Sequence, residues 1–264
     1  MSDMEQRLYF TLGEKGERVF TIKDIANVLD ISPQHARNLA AHMANKNAIE
    51  RVKPGLFVRI PENVILDKRL YKEDAILIAD KVAERGFLSH YTALSLHGLA
   101  ERYANRVYVT TCGHQRDIRY HEIDIHFVTV IPKRFFGMKT VPYSDSTITI
   151  ADRERTILDA VYAPRYSGGW SEVIKCLKNL EAVDWERLQL YLVKYGSKNL
   201  ARRVGYLMEK LDNVPLPDDA KERMRQFSGN SVYYFDRLGG GSLEKGWNLI
   251  VPDRIRRALL AETP

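Results

Sequence analysis

TIKDIANVLDISPQHARNLAAHM, residues 21–43, carries two helix starts within twelve positions. Thr21 followed by Asp24 is a capping-box pattern, and Ile22, Ile25, Ala26 and Leu29 recur at helical spacing behind it. Ser32 then Pro33 starts a second helix, the serine oxygen taking an orphan N–H and the proline presetting φ at the first helical position. Ala36, Leu39, Ala40 and Met43 form its apolar stripe, while Gln34, His35, Arg37, Asn38 and His42 fall elsewhere on the circumference. Asp30 and Ile31 leave almost no connection between the two helices, so the stretch predicts a helix-turn-helix.

The flanks extend this reading. Residues 4–15 predict a helix, and AIERVKPGLFVRIP, residues 48–61, predicts a hairpin whose Lys53-Pro54-Gly55-Leu56 suits a type II turn. Helices followed by such a wing give a winged helix-turn-helix over residues 1–61. Charge changes sign inside it: residues 1–31 hold four Lys/Arg against six Asp/Glu, whereas residues 32–60 hold five against one. Gln34, Arg37 and Asn38 are able to make bidentate contacts to base edges, and Gln34, His35, Arg37, Asn38 and His42 are together expected as the base-reading residues. Arg51, Lys53 and Arg59 are expected on the wing, against the DNA backbone or minor groove. No carboxylate, which would repel phosphate, interrupts residues 32–49.

Residues 62–264 predict a larger α+β domain with an antiparallel sheet and several C-terminal helices, and a sub-boundary near 150–165. YKEDAILIADKVAER places Ala75, Ile78, Ala79 and Val82 on one helical face, and LSHYTALSLHG reads as a short helix capped by Ser89 and closed by Gly98. RVYVTT, DIRYHEIDIHFVTVIP and STITI alternate as strands, and Asp152 caps the helix that follows. Helices are expected at about 170–181, 185–194 and 198–211, a strand at 232–236, and a surface turn at the glycines 239–241.

At 264 residues, 45% hydrophobic, 28% charged and a net charge of +6, the chain has the composition of a soluble protein that tolerates a polyanionic partner. The start lacks the build of a secretory signal and no long apolar run occurs, so a cytoplasmic protein without membrane contact is expected. Cys112 and Cys176 are too few for a disulfide framework and are expected as structural thiols. The strand YHEIDIH puts Tyr120, Glu122, Asp124 and His126 on one face, the basis of a rival reading as a metal-dependent DNA-processing enzyme. Ordinary strand alternation explains the same pattern, so no catalytic residue, metal or cofactor is expected. Ser89 is an N-cap and His97 a helix-end residue favoured by the dipole. Lys198, Arg202 and Arg203 form a second basic run, expected either as a solvated face or as a second DNA or partner surface. A pure protein-interaction adaptor is the remaining alternative.

Three segments together resemble the AbiEi-type antitoxins, transcriptional regulators of type IV toxin–antitoxin, phage-defence pairs. RVKPGLFVRIP resembles the end of that family's N-terminal module, FLSHYTALSLHGLAERYANRVYVTT its domain junction, and ITIADRERTILDAVYAPRYSGGWSEVIKCL its later motif. The resemblance implies a non-enzymatic repressor that autoregulates its operon by binding double-stranded operator DNA, expected as inverted repeats. It also implies a larger C-terminal domain that antagonises a nucleotidyltransferase-type toxin.

Overall fold

The computed structural model describes residues 1–66, 71–83, 85–100, 105–236 and 238–261. The stretch ENVILDKRL is thus followed only to Leu66, and Glu84 of the expected helix and residues 101–104 of the junction segment lie outside the described residues.

The chain opens with α1 (Asp3–Glu14), a three-residue β1 (Val19–Thr21), α2 (Ile22–Leu29), α3 (Pro33–Asn45) and the strands β2 (Ile49–Lys53) and β3 (Leu56–Arg59). The three strands form an antiparallel sheet in the order β1-β3-β2. Both reciprocal bonds of the predicted capping box start α2: Asp24 N–H donates to Thr21 Oγ1 and Thr21 N–H to Asp24 Oδ2. Asp30, in the left-handed region at φ 55°, ends it, and Gly55 at φ 83° supplies the positive φ of the hairpin turn. Leu8, Leu12, Phe20, Ile25, Met43 and Phe57 centre the core of this unit.

The other face of this small sheet is covered as well. Val19, Leu56 and Val58 pack on α5 (Ala75–Val82) and on the second core, which is why three consecutive residues of β3 are buried. Polar contacts line the seam: Arg18 to Asp145 at 2.8 Å, Lys81 to Asp24 at 3.1 Å, and the Tyr120 hydroxyl donating to Glu50 at 3.2 Å.

A short α4 (Glu62–Leu66) precedes α5. Beyond α5 lie β4 (Gly86–Leu88), α6 (His90–Leu96), β5 (Arg106–Thr111), β6 (Ile118–Tyr120), β7 (Ile123–Thr129), β8 (Met138–Tyr143) and β9 (Ser146–Ala151). Their sheet runs β6-β7-β5-β4-β9-β8 and is mixed, not antiparallel as expected, because β5–β7 and β4–β9 pair in parallel. The chain leaving β5 skips one place to form β6, then folds back as β7 into the gap. The predicted single strand across 117–132 is therefore two strands joined by a turn at His121 and Glu122, with His121 at φ 50°.

The last part holds α7 (Arg153–Tyr162), α8 (Trp170–Lys178), α9 (Trp185–Tyr195), α10 (Lys198–Leu211) and α11 (Asp218–Ser228). It closes with β10 (Tyr233–Tyr234), β11 (Ser242–Glu244), β12 (Leu249–Val251) and α12 (Asp253–Leu260). A small sheet runs β10-β12-β11. Helix α10 is central here: Leu200, Val204 and Leu207 are fully or nearly fully buried, and Gly205 lets the Trp247 ring lie against the helix backbone. The architecture is mixed α+β. Among the described residues no helix is long and apolar enough to cross a membrane. Cys176 is buried in the last core, whereas Cys112 is exposed.

Two small expectations change. Ser89 sits at the N-cap of α6, but its hydroxyl makes no cap bond and instead accepts from the Thr110 hydroxyl at 2.8 Å. His97 Nε2 lies 2.8 Å from Ala151 O, and burial holds its pKa below the ordinary value, outweighing any pull of the helix end toward the charged form.

Candidate nucleic-acid interface

Helix α3 is fixed from both ends. Ser32 Oγ accepts the N–H of His35 at 3.2 Å with Pro33 at the first helical position, and Lys46 at the C-terminal end reaches buried Glu5 of α1 at 2.7 Å. The hydrogen bond from Lys46 holds the Glu5 carboxyl below its usual pKa against the opposing effect of burial. Ala36, Leu39, Ala40 and Met43 face inward as the sequence predicts, leaving Gln34, His35, Arg37, Asn38 and His42 exposed.

Those five do not form one group. At about 100° of rotation per residue, Gln34, Arg37 and Asn38 share a face, whereas His35 and His42 lie roughly 90° further round. The first three are already joined, Arg37 Nη1 donating to Gln34 Oε1 and Gln34 Nε2 to Asn38 Oδ1, each at 3.4 Å. Bonds this long between exposed groups are readily exchanged for better acceptors and donors.

The wing residues separate too. Arg51 is exposed on β2, in register with Phe57 and so on the sheet face that carries α3. Lys53 is half-buried at the hairpin tip. Arg59, expected beside them, lies at the opposite end of β3 with its guanidinium 5.1 Å from the centre of the Tyr9 ring on α1. It is a packing residue, because a four-residue strand puts its last position a full strand length from the turn. With Lys46 paired to Glu5 as well, Arg37 and Arg51 are the exposed cations of residues 32–60 outside an ion pair among the described residues, with Lys53 half-buried at the hairpin tip.

Lys23 was missed. It lies exposed on the first turn of α2 and borders two adjoining clefts. One, about 590 Å³, lies between α2 and the start of α3 and is bordered by Arg37, Asn27 and Asp30. The other, about 580 Å³, separates the hairpin tip from the loop before β6. A lone lysine in an amphipathic helix carries no signal until the hairpin is folded beside it.

The second basic run is not a surface. Arg202 is 0% exposed and donates to the carbonyls of Ser228, Gly229 and Ser231 at 2.7, 2.9 and 2.8 Å, with its guanidinium over the Tyr233 ring. It caps the C-terminal end of α11, where helical carbonyls lack intrahelical donors. Arg203 is half-buried against Trp170 and Phe235, and of the three residues Lys198 alone is exposed.

The acidic strand is likewise dispersed. Glu122 pairs with Lys72 at 2.8 Å, Asp124 with Arg106 at 3.4 Å, and His126 with Asp117 at 2.5 Å, while Tyr120 sits on the neighbouring strand. Among the described residues no group of three His, Cys, Asp or Glu is placed to hold a metal ion. The ERTILD segment is structural in its contacts. Arg155 is fully buried, donates to Asp159 and to the carbonyls of Arg134 and Phe136, and stacks on Phe136 and Tyr195.

No family model and no curated protein matches the chain. Among solved structures it is similar to the crystal structure of the RV2827C protein from Mycobacterium tuberculosis, with a TM-score of 0.63 and 15% identity over 98% of this chain and 94% of that one. At that identity the likeness is one of fold along nearly the whole length.

Proposed function

We propose that this chain is a sequence-specific, double-stranded-DNA-binding transcriptional regulator without enzymatic activity. In this reading residues 1–61 are a winged helix-turn-helix, α3 enters the major groove, and β2–β3 is the wing. The order helix, strand, helix, helix, hairpin, with the first strand beside the last, supports the assignment. The observation that carries it is the exposed Gln34, Arg37 and Asn38 cluster on the N-terminal turns of α3, with Lys23 lining the same cleft as Arg37 and Lys53 lining the adjoining one. These side chains suit guanine and adenine edges, and the lysines suit phosphate. His35 and His42 flank the reading face and belong to its edge. Separate ion pairs for Glu122, Asp124 and His126 favour this reading over the nuclease alternative.

Residues 62–264 complete the proposal as the partner-binding part of an AbiEi-type antitoxin, the partner being a nucleotidyltransferase-type toxin. This half rests on the sequence resemblance. Selection of bound duplexes from a random pool, followed by titration at several salt concentrations, tests DNA reading. Recovery of a common motif, bound more tightly than scrambled duplex, is expected. Absence of salt-dependent duplex binding refutes it. The antitoxin half is tested by sequencing the genes flanking this one and co-expressing the chain with a flanking nucleotidyltransferase: relief of that protein's growth arrest is the expected result, and flanks without a nucleotidyltransferase, or growth arrest that persists, refute this half.

A further inference from the structure

We propose that the loop of residues 112–117, which belongs to the second sheet and not to the N-terminal unit, is a second DNA-backbone clamp facing the hairpin tip. The inference rests on the DNA-binding reading above and adds to it a contact surface that the N-terminal unit does not contain.

The carrying observation is the cleft of about 580 Å³ between β2–β3 and this loop. Lys53, Pro54 and Gly55 form one wall, Gln115, Arg116 and Asp117 the other, and Lys23 and Lys81 lie between them. Four cations therefore converge from four separate elements. Nearby negative charge is already engaged. Asp117 accepts from the Phe127 N–H at 3.1 Å and pairs with His126, and Lys81 pairs with Asp24. Burial opposes ionisation of Asp117, but its bonds to His126 and the Phe127 N–H outweigh that and hold its carboxyl below the usual range. Arg116 is exposed and forms no ion pair among the described residues.

Two further facts place the cleft on the DNA side and set its shape in advance. Ile22 and Lys23 border both this cleft and the one containing Arg37, so a single track runs from the reading face of α3 to Arg116. The loop is also held at both ends, by Asp117 accepting the Phe127 N–H of β7 and by the Thr111 hydroxyl donating to Gly113 O at 2.8 Å. The sheet behind it is locked to the N-terminal unit through Arg18, Glu50 and the buried face of β3. A cationic slot on a rigid frame recognises the regular charge of a phosphodiester backbone and carries no base readout. It extends the footprint beyond the bases read by α3, on the hairpin side.

The test uses the full chain and a duplex selected by the wild type, titrated between 50 and 300 mM potassium chloride (roughly the range over which phosphate contacts dominate the salt dependence). Wild type is compared with Arg116→Ala, Arg116→Lys and, as a control on α11, Arg223→Ala, each verified as folded by circular dichroism. Arg116→Ala is expected to lower the salt slope by about 0.9 and affinity by roughly fivefold at 0.15 M, equally on selected and scrambled sequences. Arg116→Lys and Arg223→Ala should retain the wild-type slope. Shortening the duplex on the hairpin side should abolish the difference between Arg116→Ala and wild type. Wild-type slope and affinity for Arg116→Ala, on a duplex the wild type does bind, overturn the clamp while leaving the DNA reading intact. A wild type that binds no duplex removes both.

Discussion

Arg202→Met isolates what a buried guanidinium does here. The side chain is 0% exposed, has carbonyl partners and a ring but no carboxylate within ion-pair range among the described residues, and burial holds its pKa below the ordinary value. Two effects compete. Methionine removes the cost of burying a charge, which for an unpaired ion amounts to several kcal/mol. It also strips donors from three carbonyls held at 2.7 to 2.9 Å. Of these, Gly229 and Ser231 are near enough to the surface to regain water, whereas Ser228 is 3% exposed and is left unsatisfied. A lost charge-assisted bond is worth about 1.5 to 3 kcal/mol and an unsatisfied buried carbonyl about 1 to 3 kcal/mol. The stack on Tyr233 adds a further contribution on the order of 1 kcal/mol. The three carbonyls share the two N–H groups of one nitrogen, so about two full charge-assisted bonds and the end of α11 depend on it; the carbonyl side wins, and Arg202→Met is expected to destabilise by about 3 kcal/mol. Urea unfolding followed by the fluorescence of Trp170, Trp185 and Trp247 measures it, as a midpoint lowered by about 1 M. A variant as stable as wild type, or more so, refutes the reasoning and makes Arg202 a net cost.

Three other outcomes follow from the same geometry. A Cβ at Gly205 would stand 2.1 Å from the Trp247 ring, so Gly205→Ala is expected to lose more than about 3 kcal/mol despite the better helix propensity of alanine, read by thermal melting. Thr21→Ala removes the N-cap acceptor of α2 and should cost about 1 kcal/mol, measured by the same melt. Burial pushes the His90 pKa down to about 4, Asp159 opposing this and Arg155, His126 and Arg165 reinforcing it. The unfolded chain therefore binds the proton first, and stability present above pH 6.5 should fall by about 3 kcal/mol as pH drops toward 4. His90→Asn, which tolerates the positive φ of this position, should flatten that fall in melts across the range.

What the sequence disclosed follows from how local each signal is. Ser32-Pro33, Thr21 with Asp24, and Pro54-Gly55 act within four residues, so the boundaries of α2, α3 and the hairpin were legible, as were the inward and outward faces of α3. The turn at His121 was not, because neither glycine nor asparagine marks it, and an alternating run continues through it. Arg202 looked like one member of a solvated face because its partners lie 26 to 29 residues on, after a helix whose pattern had not been read. Arg59 was placed on the wing by composition alone, which does not distinguish the tip of a hairpin from its base. One tertiary feature had a local signal that the sequence reading did not use: Leu56-Phe57-Val58 is a continuous apolar run, the pattern of a strand covered on both faces, as the first sheet is by its own core and α5. The clefts at Lys23 depend on three segments meeting and had no local signature.

The most direct test of the DNA-reading account is Asn38→Ala, since this exposed helical residue carries no charge and its loss leaves the backbone contacts in place. On the selected duplex the variant should bind more weakly by about 1 to 3 kcal/mol, confined to one base position, with the salt slope and the affinity for scrambled duplex unchanged. Arg37→Ala should show a loss of the same size at a neighbouring position. Binding of Asn38→Ala and Arg37→Ala to every sequence as wild type binds it would contradict the placement of α3 in the major groove.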